Sequence, residues 1–140
     1  MSTQEMRDAL FIYQDTRANF KNIIAKRSDL IRFDGGRIIS PVSGTTLYYA
    51  GTVLGYATSG PYAGKYEPYL STNSDGSQVA VGILAEDALV DSTGNGSEIS
   101  IVREGTLFQD LLVGLDGGAI TALGGKPYIE RGNNLITIRA

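Results

Sequence analysis

The stretch Asp75-Gly76-Ser77-Gln78-Val79-Ala80-Val81-Gly82-Ile83-Leu84-Ala85-Glu86-Asp87 joins a turn signal, an aliphatic run and a pair of acids. Gly accepts positive φ and Asp can bond its own backbone two residues on, so Asp75-Gly76 reads as a turn. The aliphatic run is short, holds a glycine and is rich in β-branched residues, which predicts a strand over residues 79–85 rather than a helix. Alternation places Val79, Val81 and Ile83 on one face and Ala80, Gly82 and Leu84 on the other. The first face is bulky and the second mostly small, which suits close approach by another element. A strand buried on both faces and empty of reactive groups is scaffold.

Outward from this strand the chain continues as short extended runs divided by turns. The turns are Asp34-Gly35-Gly36, residues 41–44, the loop 59–64 and Asp116-Gly117-Gly118. Between them, residues 37–40, 45–50, 51–57, 66–70 and 98–103 read as strands, and residues 106–113 as strand or helix. Residues 126–130 and 135–139 read as a hairpin around residues 131–134, with Ile136 and Ile138 on one face of the last strand. No internal repeat is present. Many short strands at this spacing, with 18 glycines in 140 residues, predict one mainly β domain with minor α content: a small barrel- or tulip-like body.

Residues 1–33 differ. They contain no glycine and no proline. Residues 1–40 carry a net charge of +2 and residues 41–140 a net charge of −5, which together give −3 for the chain. Met6, Ala9, Leu10 and Tyr13 fall at helical spacing, but the pattern does not continue. The segment reads either as an extended arm that orders on a partner, or as a helix or strand folded back on the body. This divides the chain into an arm, 1–33, and a body, 34–140.

The chain has no cysteine and no histidine, so disulfides, thiolate metal sites and the commonest general base are excluded. The N-terminus lacks the apolar core of a signal peptide and no apolar run is long enough to span a bilayer, so the expectation is a soluble protein made in a reducing cytoplasm. The acidic body is poorly suited to non-specific nucleic-acid binding. Asp91-Ser92-Thr93-Gly94-Asn95-Gly96 imitates the start of a calcium loop, but the twelfth position, which needs a bidentate acid, is Val102. Residues 60–65 are one residue short of a phosphate loop and are followed by Tyr66 instead of Ser or Thr. Asn95-Gly96-Ser97 is a glycosylation sequon by letter only. Six tyrosines (48, 49, 56, 62, 66 and 69) are joined by a single cation, Lys65, which favours core or interface packing over base stacking. The acids in Glu86/Asp87 and Arg103/Glu104 read as solvated strand ends. No catalytic, cofactor or metal site is expected.

Three stretches taken together carry a resemblance: SGTTLYYAGTVLGYATSGPYAGKYEPY (43–69), DGSQVAVGILAED (75–87) and IVREGTLFQDLL (101–112), with NLITIRA at residues 134–140. In this order they resemble the phage-lambda-type head decoration, or capsid cement, proteins over residues 36–140. The resemblance implies a non-enzymatic structural protein of the virion. It implies homotrimers on the outer surface of the expanded phage head, at three-fold positions, stabilising the shell against packaged DNA. The implied partners are the major capsid protein and the chain itself, with no direct nucleic-acid or membrane contact and no cofactor. It also implies a capsid-binding N-terminal arm, whose residues here are Leu10, Phe11, Ile12, Tyr13, Arg17, Phe20, Ile23 and Ile24. The family's peripheral helix corresponds to part of 106–115 or of 119–123. Two rival readings are another β-rich phage component, such as a tail or head-completion subunit, and a carboxylate enzyme.

Overall fold

The computed structural model describes residues 23–26 and 31–140. Nine strands follow in order: β1 (Arg32–Ile38), β2 (Thr45–Tyr48), β3 (Val53–Tyr56), β4 (Tyr66–Pro68), β5 (Ala80–Leu84), β6 (Ala88–Asp91), β7 (Ser97–Phe108), β8 (Lys126–Glu130) and β9 (Asn133–Arg139). A 3-10 turn, Gln109–Leu111, and a short helix, α1 (Gly117–Ala122), lie between β7 and β8. Strands β1, β4, β3, β5 and β7 are neighbours in that order, and β7 pairs back onto β1, so five strands close a barrel. Closure removes the free edges that an open sheet would present. β7 is long enough to pair with β1 and β5 through its first half and with β9 from Glu104 to Phe108. β2 and β6 form a separate two-stranded ribbon.

Two apolar clusters result. One comprises Ile38, Leu54, Tyr66, Leu84, Ile99 and Ile101 from the barrel strands, joined by Ala88 and Val90 of the ribbon. The other packs Val53, Ile83 and Val102 against Ala119 and Leu123 of the α1 region and against Ile136 and Ile138 of β9. β5 therefore supplies both clusters, as a strand buried on two faces should. Its alternation is not regular, however. The β3–β5 register shifts between Leu54 and Gly55, and this bulge places Ala80 in the same cluster as Ile83 while Val81 packs against Leu84's. Val79 lies outside the strand and is half exposed.

The reading of Asp34-Gly35-Gly36 as a turn is corrected: all three residues lie within β1. Gly36 is there because a Cβ would stand 2.4 Å from Cε2 of the buried Tyr66 ring, not because the chain turns. The strand expected at residues 98–103 extends from Ser97 to Phe108, and residues 106–113 divide into strand end and 3-10 turn. The helix falls at the second expected location. Asp116-Gly117-Gly118 is its start: Asp116 Oδ1 accepts from Ala119 N at 2.8 Å, an N-cap, and also from the Tyr69 hydroxyl at 2.9 Å. The hairpin has a tighter turn than expected. Arg131 (φ 52°) and Gly132 (φ 80°) alone connect β8 to β9, as a two-residue turn with both φ positive requires.

Candidate docking surfaces

The segment Ile23–Lys26 lies on the body. Ile24 forms an antiparallel bridge with Leu107, and Ala25 N donates to Thr106 O at 2.8 Å. Farther on, β1 pairs with β7 from Arg32↔Glu104 to Ile38↔Ser97. The β7 partners of Ile24 and Arg32, Leu107 and Glu104, lie three residues apart on that strand. Ile23 and Ile24 are buried in the second apolar cluster. Lys26 Nζ pairs with Glu130 Oε2 at 2.7 Å and lies 5.6 Å from the centre of the Tyr128 ring. The Glu130 hydrogen bond, then that of Tyr128, raises the lysine's pKa. Of the expected arm residues, then, Ile23 and Ile24 belong to the body's own core. Leu10, Phe11, Ile12, Tyr13, Arg17 and Phe20 lie outside the described residues.

The barrel carries a charged cap. Arg103 donates to Val81 O at 2.6 Å and to the Tyr66 hydroxyl at 2.7 Å, and its Nε stands 3.0 Å from Asp34 Oδ2 as an ion pair. Tyr66 is held in turn against Tyr56, with ring centres 4.9 Å apart. Glu104 lies between Arg32 and Arg139, and Arg32 also donates to the Ala140 carbonyl. These charges are spent on one another and on backbone carbonyls, which fixes side chains on three adjoining strands.

A second polar group locks the loop before β5. Glu67, buried in β4, and Asp75 both lie within hydrogen-bonding reach of the Ser77 hydroxyl, which also accepts from Asn73 Nδ2 at 2.9 Å. Burial raises the Glu67 pKa, opposed by the Ser77 bond and reinforced by Asp75. The Ser77 hydroxyl lowers the pKa of Asp75. One hydroxyl proton serves one carboxylate at a time, so a proton on Glu67 completes the set. Gly55 lets this loop approach: a Cβ there would meet Ser77 O at 2.3 Å.

The other singled-out acids have local work. Asp87 Oδ1 accepts from Ala50 N at 2.6 Å, and Asp91 Oδ1 accepts from the Thr93 amide and hydroxyl. Among the described residues no three His, Cys, Asp or Glu side chains converge as a metal site. The tyrosines divide: Tyr66 and Tyr69 are core, whereas Tyr49 and Tyr56 are exposed. Some exposed side chains are large and apolar. Leu89 is 59% exposed on β6, beside Leu47 of β2, and Ile129 is 73% exposed on the β8 edge. Sequence reading missed β6. Its signal was the alternating Ala88-Leu89-Val90-Asp91, hidden between acids read as strand ends.

With this geometry in place, comparison with protein families matches the chain to bacteriophage lambda head decoration protein D over residues 38–123. The chain belongs to this family. The match runs from the end of β1 through the barrel and α1, and stops before the β8–β9 hairpin. No curated protein and no solved structure matches the chain at a significant level. Membership makes the chain a structural component that decorates a phage head on the outside of its capsid. The closed barrel and its interlocked polar groups suit that role, which calls for a stiff body and surfaces for contact.

Proposed function

We propose that the chain is a capsid cement: it binds as a homotrimer to the outer surface of the expanded head, at three-fold positions, and stabilises the shell against the pressure of packaged DNA. The family match over residues 38–123 is the observation that carries this reading. Three weak docking contacts on one trimer act together, because the second and third become intramolecular. The partner is the major capsid protein, and no nucleic acid is contacted directly. The protein is made in the host cytoplasm and ends on the virion. The capsid-binding arm is the part of residues 1–33 that precedes Ile23. Leu10, Phe11, Ile12, Tyr13, Arg17 and Phe20 supply apolar and basic groups for a groove or a free sheet edge on the capsid protein. Ile23 and Ile24 anchor that arm to the body.

Removing residues 1–22 while keeping Ile23 and Ile24 tests the arm. The truncated protein is expected to melt like the full chain and to bind decoration-free expanded heads much more weakly in a co-sedimentation assay. Undiminished binding would contradict the arm assignment.

A further inference from the structure

The letters Asn95-Gly96-Ser97 imitate a glycosylation sequon, but the first two carry a different chemistry. Of the chain's six asparagines, Asn95 alone precedes a glycine. The amide nitrogen that follows an asparagine can attack the side-chain Cγ, and a glycine has no Cβ to hinder that approach. The bond from Gly96 N to Asn95 Cγ forms, the Cγ–Nδ2 bond breaks and ammonia leaves. The succinimide ring that results takes up one water at either carbonyl and opens to aspartate or isoaspartate. No other reactant is needed. Asn95 is exposed, so water reaches it.

The fold fixes this glycine. Gly96 has φ 87°, and a Cβ there would collide with the Ile38 carbonyl oxygen. It stands next to Ser97, which pairs with Ile38 where β1 and β7 meet. The same fold withholds the groups that the reaction uses. Gly96 N, the nucleophile, donates to Ser40 Oγ at 2.8 Å, and the Ser40 hydroxyl donates in turn to Gly94 O at 3.1 Å. Asn95 Oδ1, on the carbon to be attacked, accepts from Lys65 Nζ. Arg37 Nη1 lies 3.4 Å from Asn95 O and 3.3 Å from Gly96 O, donating to both carbonyls. The end of β1 and the residue before β4 thus grip one dipeptide through its nucleophile, its electrophile and its backbone.

We propose that Asn95-Gly96 is a latent deamidation site, kept closed by Ser40, Lys65 and Arg37, and that it reacts only when the loop after β6 opens locally. Loops open and close far faster than the ring forms, so the rate follows the population of the open loop. An isoaspartate at position 95 adds a methylene to the main chain just before Gly96 and displaces Ser97 from Ile38, at the seam that closes the barrel. A virion component is not replaced after assembly, so this clamp guards the seam for the life of the particle.

Peptide mapping by mass spectrometry, after incubation at mildly alkaline pH, tests it by counting the deamidated and isoaspartyl forms at position 95. The native chain is expected to react about tenfold or more slowly than the same chain unfolded in guanidinium. Ser40 is half-buried at the surface, and Ser40→Ala is expected to speed the native reaction about three- to tenfold, as loss of one hydrogen bond should, while leaving the unfolded rate unchanged. Lys65→Met is expected to act in the same direction. Ile24→Ala, which loosens the body where Ile24 bridges Leu107 at the other end of β7, is expected to leave the rate at Asn95 unchanged. Equal rates in the native and unfolded chains, or no acceleration by either clamp substitution, would overturn the proposal. Equal acceleration by Ile24→Ala would also overturn it, because the reaction would then proceed through global unfolding.

Discussion

Gly35 and Gly36 are neighbours in β1, yet only one is required there. A Cβ at Gly35 meets nothing within 4 Å, whereas at Gly36 it would press on the Tyr66 ring, which Arg103 and Tyr56 hold in place. Gly35→Ala is therefore expected to change stability by less than about 0.5 kcal/mol, and Gly36→Ala to cost about 1–3 kcal/mol, read from denaturant midpoints. A sequence shows two adjacent glycines and suggests a turn; the ring that needs the space lies 30 residues away. Glu67 gives a pH prediction of defined sign. Its folded pKa is raised above the ordinary value of 4.5, so the protonated form is favoured in the native state. Its contribution is fully present below the unfolded pKa and is lost as pH rises through the folded pKa. Asp75, with a lowered pKa, acts in the opposite sense: its contribution is present above the ordinary value of 3.8 and is lost as pH falls below it. Stability followed from pH 4.5 upward should therefore decline as Glu67 ionises beside Asp75, and Glu67→Gln should flatten that decline. Equal pH dependence in the two proteins would contradict the shared-proton arrangement.

The elements were legible where they obey a single periodicity. β5 was readable from its aliphatic run, the hairpin from Gly132 and the flanking alternation, and β3 from Val53-Leu54-Gly55. The β5 bulge was not, because register depends on the partner strand and not on local pattern. β7 was cut short because Gly105, at φ 155°, looks like a terminator in sequence, while in the structure it pairs with Ile138 and the strand continues. The candidate site was only half visible. Ile23 and Ile24 read as two of the scattered apolar residues of a capsid-binding arm, and nothing in the sequence says that Ile24 bridges β7 and that both enter the core of the body. Ile24→Ala is expected to destabilise the protein by about 2–4 kcal/mol through loss of buried area and the cavity left behind, visible as a lower melting temperature. A melt unchanged by this substitution would show that the segment does not cover β7.

The molecule as a whole joins a closed barrel to a helix and a hairpin, with charged side chains paired across β1, β7 and β9 and a polar group locking the loop before β5. Its chemistry is that of packing and contact. The central claim, decoration of a phage head, is tested most directly by adding the purified protein to expanded heads stripped of decoration and measuring bound copies by co-sedimentation and imaging. Saturable binding is expected on the outer surface, in groups of three at the local three-fold positions, with treated heads surviving conditions that rupture bare ones. Heads that bind no protein, or carry it as scattered monomers without any gain in resistance to rupture, would contradict it.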